Sequence, residues 1–112
     1  MSINSDFATE VLLLYYNSFD DNVTVTITDD DILILRQILN RRPYRENTSC
    51  GFTTSVSITM TNGRKKIVFC PALDGCPLLR IGASSRYIRI SDETNTELKS
   101  VLEKYGMIFP CV

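Results

Sequence analysis

The sequence predicts a single α+β domain spanning residues 1–112: a mostly antiparallel sheet with elements in the order β-β-α-β-β-β-β-α and two helices packed on one face. Three observations lead there. An Asn62-Gly63 dipeptide sits between two alternating segments, the strongest short-range signal for a β-hairpin. Two stretches, near 28–40 and 91–105, carry apolar residues at helical spacing behind a Thr or Ser followed by acids. Consecutive strand-like segments are joined by short turns, which favours antiparallel neighbours and leaves the helices to cover one side.

Taken in order, Glu10–Tyr16 (EVLLLYY) is an apolar, aromatic run that suits a buried strand, although a short helix from Ser5 has a compatible pattern. Asn17–Asn22 is a turn cluster of residues that bond their own backbone. Val23, Val25 and Ile27 alternate with Thr24 and Thr26, the pattern of a half-buried strand. Thr28 then begins a helix. Its hydroxyl is placed to cap, Asp31 stands at the third helical position of a capping-box variant, and Asp29–Asp31 face the positive end of the helix dipole. Ile32, Leu35, Ile38 and Leu39 form the buried stripe, and Pro43 ends the helix near Asn40.

Residues 41–51 read as a polar loop. With Asn62 and Gly63 at the centre of a type I′ turn, Thr61 opposes Arg64, Ile58 opposes Ile67 and Val56 opposes Phe69. The second hairpin turns at Ala83–Arg86, with Ile81 opposite Ile88 and Leu79 opposite Ile90. Arg80 and Arg89 then lie on the other face. Ser91 caps the final helix, whose buried face is Leu98, Val101, Leu102 and Tyr105. Gly106 stops it, and the apolar tail Met107–Val112 is expected to pack against the sheet.

Composition narrows the chemistry. The chain is 44% hydrophobic and 22% charged, an ordinary globular balance, and it contains no histidine. Histidine-based acid/base or nucleophilic catalysis and His-ligated metal sites are therefore excluded. The five glycines are isolated, so no phosphate-cradling loop exists. Asp20-Asp21 and Asp29-Asp30-Asp31 lack the alternating ligands and glycine turn of a calcium loop. No cofactor, metal or catalytic residue is expected. No apolar run approaches the ~18–20 residues of a membrane span. The start Met1–Asp6 has no basic region ahead of an apolar core, so the expected compartment is the cytoplasm, unless Met1 begins a mature secreted domain.

The four cysteines, Cys50, Cys70, Cys76 and Cys111, form no C-x-x-C pair. In a reducing compartment they are expected to be thiols, packed as small hydrophobes. In an oxidising one, Cys50–Cys76 is the favoured bridge, because the hairpin register brings residue 75 opposite Cys50. Cys50–Cys70 with Cys76–Cys111 is the alternative. A nucleophilic Cys76 activated by Arg80 is the weaker explanation of its loop, which Pro71, Pro77 and Asp74-Gly75 account for as a turn.

The formal net charge of −1 conceals segregation: −6 over residues 1–40, +7 over 41–90 and −2 over 91–112. Local fields of this kind steer partners more than net charge does. The candidate partner-binding residues are the acids Asp20, Asp21, Asp29, Asp30 and Asp31, and the basic sheet face of Lys66, Arg80, Tyr87 and Arg89. No motif assigns the chain to a family. In profile, being small, leaderless, slightly acidic and without catalytic machinery, it is similar in kind to bacterial immunity proteins, which bind and neutralise a cognate toxin. That resemblance implies a non-enzymatic protein-binding module with a protein partner. The alternatives are an extracytoplasmic, disulfide-stapled domain and, third, a nucleic-acid binder. The third is disfavoured because only Tyr87 stands among the bases as a stacking aromatic. Nothing in the sequence sets an oligomeric state.

Overall fold

The computed structural model describes residues 8–16, 22–45, 51–53, 55–73 and 76–107. The elements are β1 (Glu10–Tyr16), β2 (Asn22–Thr26), α1 (Asp29–Leu39), β3 (Tyr44–Arg45), β4 (Ser57–Thr61), β5 (Lys66–Pro71), β6 (Leu78–Ile81), β7 (Arg86–Arg89) and α2 (Asp92–Glu103). They build one seven-stranded sheet in the order β2-β1-β4-β5-β6-β7-β3, with every pair antiparallel. The expected α+β order stands. One short strand is added, because Tyr44 and Arg45 in the polar loop pair with Tyr87 and Arg86 and form an edge.

Alternation decides what faces the helices. Val11, Leu13, Ile58, Met60, Phe69 and Ile88 point to one side and form a single core with Ile32, Leu35, Leu98 and Leu102 of the helices. Phe69, at the centre, is wholly buried between its cross-strand partners Ile58 and Ile81. The opposite side carries Leu12, Leu14, Thr59, Val68, Arg80 and Tyr87.

Both hairpin registers differ from expectation by two residues. Thr61 pairs with Lys66 rather than Arg64, and Ile58 with Phe69. The Asn62 carboxamide oxygen accepts from the backbone N–H groups of Arg64 and Lys65 at 2.9 and 2.8 Å, so Asn62 closes the turn with its side chain. Gly63 takes a left-handed position, at φ +90°. In the second hairpin Leu79 pairs with Ile88, because the turn is held at Ser84, whose hydroxyl donates to the Ile81 carbonyl at 2.6 Å. A slip of two leaves each side chain on its face, so the expected separation of Arg80 and Arg89 from the core survives.

The helix ends meet at a polar corner. Ser91 caps α2 as expected, accepting from the Thr94 N–H at 3.1 Å. Thr28 occupies the N-cap of α1, but its side chain makes no capping bond. Its hydroxyl instead meets the Tyr105 hydroxyl at 3.0 Å and the Asp31 carboxylate at 3.4 Å. Asp31 is therefore not a capping-box residue. It accepts from the Tyr105 hydroxyl at 2.5 Å and from Lys104 Nζ at 3.0 Å. The chain then leaves α2 through a Schellman-type turn, in which the Gly106 N–H donates to Glu103 and the Met107 N–H to Leu102.

Candidate functional site

The linear segregation of charge becomes a segregation of layers. The described helices hold seven acids against Arg36 and Lys99, whereas the strands hold Arg45, Lys66, Arg80, Arg86 and Arg89 against Glu10 alone. The acidic half of the expected binding surface is dispersed. Asp29 and Asp30 are exposed at the start of α1, and Asp20 and Asp21 lie outside the described residues. Asp31 is corrected from a surface residue to an internal one: it is 6% exposed and its oxygens are engaged by Tyr105, Lys104 and Thr28. Those bonds, the one from Tyr105 first, hold its carboxyl below the ordinary 3.8.

The basic half is assembled. On the side of the sheet away from the helices, Arg80 lies directly across from Tyr87, with Cys70 on its other flank and Tyr44 beyond Tyr87. Arg89 is diagonal to Arg80, opposite Leu78. Lys66 is exposed at the far end of β5, away from this group. Phe52, from the segment ahead of β4, joins the group. Its ring packs against Tyr87 at 5.3 Å between centroids, tilted by 55°, and the Arg80 guanidinium lies over it at 5.7 Å.

Each arginine is held at Nε. Arg80 donates to the Gly82 carbonyl at 2.6 Å, which the left-handed turn at Gly82 (φ +55°) presents, and Arg89 donates to the Tyr44 hydroxyl at 3.2 Å. Arg80 has no ion-pair partner among the described residues. This side is not bare: Ser57, Cys70 and Leu78 are buried there. Burial pushes the Cys70 thiol above its ordinary value despite the neighbouring Arg80, so it stays protonated near neutrality and is no nucleophile.

Phe52 and Tyr44 are the members that sequence reasoning missed. Tyr44 is an aromatic residue inside the polar loop and Phe52 directly follows it, which was the available signal. Cys76 is disulfide-bonded, as expected for an oxidising rather than a reducing compartment, and Cys70 is free, which corrects the alternative pairing Cys50–Cys70. Cys76 sits in the β5–β6 connection, anchored where its carbonyl accepts from the Leu78 N–H at 2.8 Å. Cys50, the expected partner in an oxidising compartment, lies outside the described residues.

A shallow cleft of about 320 Å³ lies elsewhere, between Ala8-Thr9 and Asp29, Ile32, Leu33 and Arg36 of α1. Arg36 crosses it to donate to the Ala8 carbonyl, which spends the cleft's one cation on its own backbone. Among the described residues no three ligand-type side chains converge on a metal position, and no helix is long and apolar enough to cross a membrane. Comparison with family models, curated proteins and solved structures returned no match.

Proposed function

We propose that this protein is a non-enzymatic protein-binding module that docks an acidic partner surface on the Arg80–Tyr87–Arg89 end of its sheet. In its most concrete form it is a bacterial immunity-type protein that occludes the carboxylate-lined active site of a cognate toxin. The observation that carries this reading is Arg80. The side chain is already fixed by Phe52 and Gly82, yet it has no carboxylate to neutralise it among the described residues. A cation already fixed in place loses little conformational entropy on binding and raises association rates with an acidic surface. The test is affinity capture from a lysate of the organism carrying the gene, comparing wild type with the Arg80→Glu/Arg89→Glu double variant by mass spectrometry. One acidic protein should be enriched by the wild type and reduced at least tenfold by charge reversal. Equal enrichment by both baits, or no partner for either, overturns the proposal.

The cytoplasm is the compartment that an immunity-type role suggests. The bonded state of Cys76 favours the second reading, an extracytoplasmic stapled domain, because persistent disulfides belong to oxidising compartments. Thiol titration of denatured, unreduced protein from its native host separates the two. Four reactive thiols return the domain to the cytosol, and two or fewer place it outside.

A further inference from the structure

The bonding around Arg80 also bears on what kind of anion the surface takes. Arg80 and Tyr87 are a directly opposed cross-strand pair, so their side chains leave the sheet about 5 Å apart on the same face. Phe52 touches both of them and so fixes their relative position. With Arg80 Nε committed to Gly82, its remaining guanidinium N–H groups share a sheet face with the Tyr87 hydroxyl, which makes no hydrogen bond among the described residues.

We propose that Arg80 and Tyr87, clamped by Phe52, form a receptor for a single side-chain carboxylate of an acidic polypeptide segment. The inference rests on the protein-binding reading above and specifies its chemistry. One guanidinium and one phenol O–H match the single charge and two oxygens of a carboxylate. A dianionic phosphate has a third oxygen and a second charge that this pair leaves unmet. Nucleic acid fits less well for a separate reason. A stacking platform needs free ring faces, but the Phe52 ring is covered by Arg80 and its remaining contact is with Tyr87. The aromatic residues here brace the cation.

The test is fluorescence anisotropy at low salt with three labelled probes: a (Glu-Thr)6 peptide, the matching (Gln-Thr)6 peptide and a dT12 oligonucleotide. The acidic peptide should bind at least tenfold tighter than the neutral one and tighter than dT12. Arg80→Lys, which keeps the charge but loses the planar fork, should weaken it about fivefold, and Tyr87→Phe about threefold. Unchanged affinity in both variants shows attraction by charge alone and overturns the receptor. So does tighter binding of dT12, or no discrimination between the two peptides, results obtained on the wild-type protein. If lysate capture yields a charge-dependent partner while these peptide results fail, the carboxylate receptor falls and the protein-binding reading stands. If no charge-dependent partner is captured, that reading itself has failed.

Discussion

Replacing Gly106 with alanine is expected to destabilise the protein by about 2–3 kcal/mol, read as a lowered urea midpoint with unchanged slope. Two causes act together. Gly106 has φ +98°, where an L side chain carries a penalty of about 1–2 kcal/mol. A Cβ there would also stand 2.4 Å from the Tyr15 hydroxyl. That hydroxyl cannot simply turn aside. Tyr15 is 8% exposed, within the core, and its O–H donates to the Tyr105 carbonyl at 2.6 Å. Moving it forfeits a hydrogen bond worth about 1 kcal/mol. The second cause is separable from the first. In a Tyr15→Phe background the added methyl would meet only ring carbons, Cζ at 3.4 Å and Cε2 at 4.0 Å. Gly106→Ala should then cost about 1 kcal/mol less than it does in the wild type. A cycle with no coupling would mean that φ alone is responsible and that the close approach to Tyr15 has no energetic weight.

The same corner shows where sequence reasoning reaches and where it stops. Gly106 was legible as a helix stop, since a left-handed residue after a helical stripe requires little besides a glycine. Its packing against Tyr15 was not, because 91 positions separate them and only the folded sheet brings β1 under the end of α2. The core stripes Ile32–Leu35–Leu39 and Leu98–Val101–Leu102 were legible because a period of 3.6 is intrinsic to the chain. Strand faces were legible for the same reason. Registers were not, since the turns are held by side-chain hydrogen bonds of Asn62 and Ser84, which a two-residue turn pattern does not specify. Arg80 and Tyr87 could be placed on one face from alternation, but Phe52, which makes them a unit, comes from a stretch with no period to read. The charge segregation survived folding because its acids sit mostly on helices and its bases on strands. Asp31 left that surface when Tyr105 and Lys104 arrived from the far end of the chain.

That displacement has a pH signature. Asp31 accepts from Tyr105, Lys104 and Thr28 more strongly as a carboxylate than as the acid, so its folded-state pKa lies below the ordinary 3.8. A carboxyl with a depressed folded pKa contributes stability that is complete above the unfolded value and disappears as pH falls through the folded one. The Tyr105 hydrogen bond is the largest cause. The Lys104 pair is weaker than its 3.0 Å suggests, because that lysine is 60% exposed and water screens it. Asp31→Asn should therefore cost about 1–2 kcal/mol at pH 7 in urea unfolding, and most of that loss should persist in 0.5 M NaCl. The gap between wild type and variant should be complete above the ordinary 3.8 and close as pH falls below it through the depressed folded-state value, where the wild-type carboxyl itself takes up a proton. A gap equally wide at pH 2 and pH 7 would assign the cost to the shape of the side chain rather than its charge. A gap abolished by salt at pH 7 would make Lys104, not Tyr105, the partner that matters.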